Sequence, residues 1–530
     1  METRRACSVG RPPALRWQLG CVVVLALVPF LPCVVGEAIL DDRQYLTLHP
    51  VTLGSVPWTE AFTRTLFERE SAAPRGPAYW RPAVLLWFRA ALAVVGPGAA
   101  VHHVLNLLLH AGNSVLLLLL LRRLTGPGSG ALFGAVLFAV HPCGTEAVAW
   151  ISGNTDLLAL GGTLTCALAW CNRPWLAAVA WLAALLAKET ALPAPLVLAV
   201  LFAPTTRWTP SRWLALASAL GSYVVLRSLA PLPEAPPELA SLGQRLLCMP
   251  GTLGRFLLLL LVPYPLAFQR HITVDDPVLI AAVAPFLIAL WFLVRCARLR
   301  PALCWMLLFL LPVSGPLPIA PMDPGSLPFS DRYLYFPAAG LGLLVALLPT
   351  LPPRWWPALL LPCSVAVALH AADFTATERL LGHALRASPR SAALWCTLGE
   401  ERLLRCLAAP EAEVPAEARA AVAALERSCG LRPAWRQPLR SLAMALLLAG
   451  EIRRAERLAT SLARSDEHDA IAASYLADIL IVQHRSAEAR TWLEIALRRE
   501  PRLDSARHNL AWLARRRAAL WLQVGSMARR

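Results

Sequence analysis

Between Leu19 and His370 the chain is a succession of apolar runs separated by short breaks, and few folds accept that pattern. A helix needs about 20 apolar residues to cross the hydrocarbon core of a bilayer. Some runs fall short of that length. Their number and close spacing still point to a polytopic helical membrane protein. Of the 530 residues, 57% are hydrophobic, against about 45–50% in an ordinary soluble protein, and the mean hydropathy is +0.53. From Asp373 onward the sequence becomes charged and rich in alanine and leucine. The expected fold class is all-α: a polytopic transmembrane helical bundle of about 11–12 spans followed by a short α-solenoid.

The net charge of +16 does not mark a nucleic-acid partner. The arginines lie at run ends and across the soluble helices, without the single basic stripe that such binding needs. Arg122, Arg123, Arg173, Arg207, Arg212, Arg295, Arg298, Arg300 and Arg354 fall in short breaks, the positive-inside pattern. The basic segment 1–18, with Arg4, Arg5, Arg11 and Arg16, is placed in the cytoplasm. The first run contains Pro29 and Pro32 and is followed by many others, so it reads as an uncleaved span and not a signal peptide. Further spans are expected near 101–121, 129–140, 156–171, 174–187, 190–203, 211–229, 277–296, 301–313, 337–351 and 355–370. The short stretch 83–95 reads as interfacial or re-entrant. The segment 246–263 is either re-entrant or paired with 231–245. Eleven spans put the carboxy-terminal region on the same side as the first loop, 37–82. The 13 cysteines, mostly inside apolar runs and without a C-x-x-C pair, read as small packing residues.

The membrane domain is expected over 19–370, a repeat domain over 373–521 and a tail over 522–530. Counting 34 residues back from Ala470 gives Arg436, and the segments 436–469 and 470–503 then align, Leu442-Ala443 with Leu476-Ala477 and Ala455 with Ala489. That period and Trp395-x-x-Leu398-Gly399 match the tetratricopeptide repeat. The segment 392–435 fits with an insertion around Pro410 to Pro415, a half-repeat occupies 373–391, and a last helix starts at Asp504. Stacked helix pairs of this kind form a groove that holds an extended peptide, or they pack for structural reasons alone.

Polar residues at the edges of the apolar runs carry whatever chemistry the membrane part has. Asp41 and Asp42 stand as a pair just past the first span. His103, Asn106 and His110, spaced i, i+3, i+7, share one helix face, either for interhelical hydrogen bonds or toward a cavity. His141 and Glu146 flank a proline at the end of another run. Lys188 is the only lysine, beside Glu189; it suits a phosphate as a point charge, or an ion pair with Glu189. Arg332 and Tyr335 open a later run as Arg332-Tyr333-Leu334-Tyr335-x-Pro337, and Arg81 lies in Tyr79-Trp80-Arg81-Pro82.

In this order these motifs resemble the transmembrane and tetratricopeptide-repeat O-mannosyltransferase family, of the GT-C class of polytopic glycosyltransferases. Trp80 before Arg81, and Asn154 in Gly153-Asn154-x-Asp156, depart from the family pattern. The resemblance implies inverting transfer of a sugar, mannose in the family, from a polyprenyl phosphate to a protein hydroxyl on the extracytoplasmic side. It implies Asp41 or Asp42 as the base. The donor phosphate would be held by Arg332 first and Lys188 second, with His141 and Arg81 in support; Glu146, His103, Asn106, His110, Glu189 and Tyr335 would support the site. No cofactor beyond the lipid-linked donor is implied, and a divalent metal stays open. Expected partners are membrane lipid, the polyprenyl-phosphate sugar and a protein or peptide acceptor held by the repeats. The arginine bias suits a bacterial inner membrane with periplasmic repeats, or the endoplasmic reticulum membrane in a eukaryote. The competing readings are a membrane-anchored scaffold without activity and a transporter of lipid-linked sugars. The second is disfavoured because no internal duplication is visible.

Overall fold

The computed structural model describes residues 15–66, 79–202, 209–231, 241–315, 326–349, 352–408, 410, 412–501 and 503–527. Expectations resting on Arg4, Arg5, Arg11, Arg207 and the stretch 232–240 lie outside them. Among the described residues every regular element is a helix. They divide into two units, one running to His383 and the other starting at Ala384.

Proline sets the shape of the first unit. The opening helix runs as an α-helix over Leu15–Leu27 and tightens to a 3-10 helix over Val28–Val35. Pro29 and Pro32 each lack the N–H that an α-helical bond needs, so the ladder is interrupted there. The same cause bends Ser129–Ala139 against Pro142–Ala149 by 48° at His141-Pro142. Pro82, Pro174, Pro210 and Pro277 each occupy a first helical position, where the missing N–H costs nothing.

Among the described residues five helices are long and apolar enough to cross a membrane: Leu15–Val35, Ala99–Thr125, Leu242–Leu261, Pro277–Arg295 and Pro353–Thr375. The bent pair makes six. The sequence gives eleven runs; most of the difference lies in length, while Pro210–Ser228, with 19 residues, is long enough but not apolar enough. Pro174–Ala187, Glu189–Phe202 and Arg300–Val313 are apolar helices too short for a single crossing. At 1.5 Å per residue such a helix reaches about 21 Å, against about 30 Å of hydrocarbon. Residues 242–261 form one continuous helix, started by a capping box between Ser241 and Gln244. It lies so close to Pro277–Arg295 that a Cβ on Gly254 would sit 1.6 Å from the Ala282 carbonyl oxygen. Only glycine admits that approach.

The second unit is a run of helix pairs. Ala392–Ala408 pairs with Val414–Leu431, Arg436–Leu448 with Ile452–Ser465, and Ala470–Val482 with Ser486–Arg499 before a last helix from Asp504. The core is mostly small: Ala443, Ala455, Ala459, Ala473, Ala477, Ala489 and Ala496 pack with Leu446, Leu476 and Leu493. Such small faces let neighbouring pairs stack closely. The turn inside the last two pairs repeats too. Gly450 and His484, one repeat apart, both take positive φ, +83° and +61°. Glu451 N–H bonds to Leu446 O at 2.8 Å, and Arg485 N–H to Leu480 O at 2.9 Å. The turn needs a left-handed residue, which glycine adopts readily and histidine only under strain.

Candidate active site

The acidic pair sits on a reversal of the chain. Leu40 has φ +47°, and Asp42 N–H reaches back to Ile39 O at 2.9 Å. A leucine in the left-handed region is strained. The two carboxylates beyond it have different surroundings. Asp42 is fully buried. It accepts hydrogen bonds from Ile39 N–H at 3.1 Å, from Ser152 N–H at 2.8 Å and from the Ser152 hydroxyl. Burial pushes its carboxyl up to about 7, against the pull of the Ser152 and Ile39 hydrogen bonds and with a small push from Asp41. Asp41 is only half-buried. Burial raises the pKa of the nearby Tyr45 hydroxyl, the charge of Asp41 raises it further and that of Arg81 lowers it.

Arg81, Lys188 and Arg332 come together from three distant parts of the chain. Lys188 Nζ lies 5.5 Å from the centre of the Tyr333 ring, and Arg332 Cζ 5.3 Å from the same ring. Arg81 Cζ lies 4.8 Å over the Tyr79 ring, and Arg81 and Arg332 both act on the Tyr79 hydroxyl. Arg332 also sits 5.7 Å from the Trp150 ring, two residues before the Ser152 that binds Asp42. Through Trp150 and Ser152 the acidic turn thus lies near Arg332.

Each cation already has a carboxylate. Lys188 Nζ bonds both oxygens of Asp156 at 2.6 Å, with both side chains almost fully buried. Burial lowers the lysine's pKa; Asp156 opposes that, and Arg81 and Arg332 add to it. Arg332 Nη1 bonds Glu146 at 2.6 Å, and its backbone N–H bonds the same carboxylate at 2.9 Å. Ser330 adds a hydroxyl donor to Glu146 at 2.9 Å. Glu146 thus holds Arg332 in place by backbone and side chain together. Arg81 is the least committed of the three. Its contact with Glu189 is long, 3.4 Å, and its Nε is buried without a hydrogen-bond partner. A guanidinium with unused donors is suited to an incoming oxyanion.

His141 does not join this cluster. Its Nε2 donates to Leu260 O at 3.0 Å and its Nδ1 accepts from Cys143 N–H at 3.4 Å, so the neutral ring is used up by the backbone on both sides. Its expected contact with a phosphate is corrected to a structural one. His110 and Tyr335 bond each other: the Tyr335 hydroxyl lies 2.9 Å from His110 Nδ1, and His110 Nε2 donates to Ala139 O at 3.0 Å. Asn106 donates to Trp150 O at 2.8 Å and Ile151 O at 3.1 Å, fixing the helix break that presents Trp150 and Ser152. His103 lies on the same face, fully buried, with its ring against the backbone of Ala149 and Glu37.

Sequence reasoning gave no role to Ser152, Trp150 or Arg270. Arg270 bonds Asp331 at 3.0 Å, with both side chains buried, and so anchors the loop before Arg332. A buried ion pair next to a candidate phosphate ligand has no signature in a single sequence. Asp156 appeared only as part of a motif that departs from its family.

No family model matches the chain. Curated sequences do. It is 32% identical over 186 residues to the protein O-mannosyl-transferase Tmtc1 of Drosophila melanogaster, a match covering 34% of this chain and 22% of that protein. The chain is TMTC-like. It is also 32% identical over 192 residues to Tmtc2 of the same organism, covering 33% of this chain and 20% of the relative. To TMTC2 of Homo sapiens it is 29% identical over 133 residues, 25% and 16% of the two chains. The chain spans about a fifth of the length of the curated relatives it matches first. These relatives bear the family name that the ordered motifs suggested.

Proposed function

We propose that this TMTC-like chain is a multi-pass membrane glycosyltransferase that moves a sugar from a polyprenyl-phosphate donor to a hydroxyl of a protein. Mannose is the sugar named by its relatives. What supports the reading is the gathering of cations on the Tyr79 and Tyr333 rings, Arg81 on the first and Lys188 and Arg332 on the second, with Arg81 and Asp41 both acting electrostatically on the Tyr45 hydroxyl. In the proposed step the acceptor hydroxyl oxygen attacks the anomeric carbon from the face opposite the phosphate. Its proton passes to the Asp41 carboxylate. The bond from the anomeric carbon to the phosphate oxygen breaks, and the phosphate leaves with the electron pair.

Asp41 is preferred over Asp42 as the base. Asp42 is fully buried and its oxygens are taken by Ile39 and Ser152, so it positions the turn. Arg81 and Arg332 stabilise the leaving phosphate as its charge grows. Lys188, locked onto Asp156, contributes its charge to the same field from behind. The helix pairs beyond Ala384 hold the acceptor chain, and the site faces the extracytoplasmic side.

The test uses purified full-length protein in detergent with a polyprenyl-phosphate mannose donor and a peptide mixture. Asp41→Asn and Arg81→Gln should each lower turnover at least roughly 100-fold, the usual contribution of a base or of a charge stabiliser. Asp42→Asn should lose less. Full transfer by Asp41→Asn would remove it as the base, and no transfer by the wild-type protein with any polyprenyl donor would defeat the reading.

A further inference from the structure

His370, Asp373 and His383 form a cluster that neither the reading above nor the resemblance uses. All three lie in the first unit. His370 is on the last turn of the helix Trp356–Ala371, Asp373 in the 3-10 turn Ala372–Thr375, and His383 on the helix Thr377–Ala387. The spacing i, i+3 puts His370 and Asp373 on one side of a helical turn. The following helix folds back and brings His383 to the same point.

His370 Nδ1 lies 3.0 Å and His383 Nδ1 3.4 Å from one oxygen, Asp373 Oδ2. The three ligand atoms all fall within 4.8 Å of one another. Two ligands of a tetrahedral zinc ion, each about 2.1 Å from the metal, are about 3.4 Å apart. The two separations from Asp373 Oδ2 are close to that value, and the His383 side chain is partly exposed, so its ring has room to adjust. The His370 side chain is buried. The second carboxylate oxygen faces Arg379 Nε at 3.5 Å, which orients the carboxylate from outside.

We propose that His370, Asp373 and His383 bind one divalent transition-metal ion, zinc by preference. Two imidazoles and a carboxylate suit zinc, cobalt and nickel better than magnesium or calcium. Three protein ligands leave one position for water. The ion staples the turn between two helices, and that turn is fixed to the start of the acidic loop. Glu37 N–H bonds Thr375 O at 3.1 Å, and a Cβ on Gly36 would meet Phe374 O and Thr375 Cα at 3.0 Å each. Zinc there orders a segment pinned only a few residues before Asp41.

The test needs no transferase activity. Full-length protein without a histidine tag is stripped with a chelator, dialysed and titrated with zinc chloride. Bound metal is read by elemental analysis and stability by the thermal midpoint. The wild-type protein should take up one more equivalent of zinc than the His383→Ala variant and melt higher with zinc than without, because a ligand that binds only the folded state stabilises it. His383→Ala and Asp373→Asn should weaken that site by roughly 100-fold or more. Arg379→Gln, one shell further out, should weaken it by roughly 10-fold. Cobalt should give visible bands of a nitrogen and oxygen set, without the near-ultraviolet thiolate band that binding by the cysteines would produce. Equal zinc uptake by wild-type and His383→Ala protein would overturn the proposal and leave a trio joined by hydrogen bonds alone. So would cobalt spectra dominated by thiolate. If His370→Ala fails to fold, the His383 variant still decides the matter.

Discussion

The membrane unit and the helix-pair unit both contain many ion pairs, but they place them differently. In the first, Lys188–Asp156 and Arg270–Asp331 have side chains exposed by 8% or less. In the second, Arg454–Glu426 are exposed by 47% and 45%, and Arg485–Glu488 by 39% and 56%. An ion pair taken out of water loses most of its attraction to desolvation. An exposed pair keeps its hydration and contributes about 0–1 kcal/mol. The buried pairs of the first unit are therefore poor stabilisers for their cost. Intramembrane charge is usually found at functional sites, and these pairs border the site proposed above.

The largest effect expected from this contrast is at Lys188. Asp156→Asn leaves a buried ammonium without its carboxylate and should cost about 3–5 kcal/mol. Far less protein should survive a thermal challenge in detergent. Replacing both partners, Lys188→Met with Asp156→Leu, should restore much of the stability, because an apolar pair of similar size needs no desolvation. Transfer should stay lost in the double variant if Lys188 serves the donor phosphate. An Asp156→Asn protein as stable as the wild type would show that this pair is not the buried charge it is taken to be.

The next effect separates the units by pH. Burial pushes Asp42 up to about 7 in the first unit, and Asp478 up to about 7 in the second against a hydrogen bond from Asn509. An unfolded aspartate titrates near about 3.9. The folded chain holds these protons more tightly, so their contribution is full below about pH 4 and is lost as pH rises to about 7. For the fully buried Asp42 the whole span is worth about 4 kcal/mol. Asp42→Asn should flatten the fall in melting midpoint between pH 4 and 8 more than Asp478→Asn does, since Asp478 is half-buried. The reverse order would mean that the turn at Asp42 is open to water.

The same contrast explains what could be read from the residues alone. Apolar runs and a 34-residue period are local patterns, so the helices and their pairing were visible, down to Arg436 and Ala470 as the first residues of two helices. Span number was not, because apolar runs such as Pro174–Ala187 and Arg300–Val313 look like crossings until their helices are seen to be short. The meeting of Arg81, Lys188 and Arg332 was reachable only through the order of motifs, since they come from three distant loops. His141 was misread because its partner, the Leu260 carbonyl, is 119 residues away and leaves no mark in the sequence. Asp41 and Asp42 look alike in the chain; the left-handed Leu40 before them and Ser152 opposite give them different environments. His370 and Asp373 were hidden at an assumed boundary between two regions.

The smallest effects test the contrast inside the second unit, where Asp469 departs from the pattern. Asp469 is 1% exposed and accepts from Arg436 at 3.0 Å and Arg440 at 2.8 Å. Its other oxygen caps the helix Ala470–Val482 through Ala472 N–H at 2.9 Å. Arg436 and Asp469 are the first and last residues of one repeat, so this acid closes the unit on itself. Asp469→Ala removes a cap worth about 1 kcal/mol and leaves two guanidinium groups short of an acceptor, for a total near 3 kcal/mol. Hydrogen exchange in the helix Ala470–Val482 should speed up accordingly. Arg454→Ala, on the exposed surface of the same array, should leave exchange and melting unchanged. Burial, and not the number of pairs, would then set the cost in both units. Equal losses from Asp469→Ala and Arg454→Ala would erase the distinction between the two kinds of pair, and with it the reason for reading the buried pairs of the membrane unit as site-building.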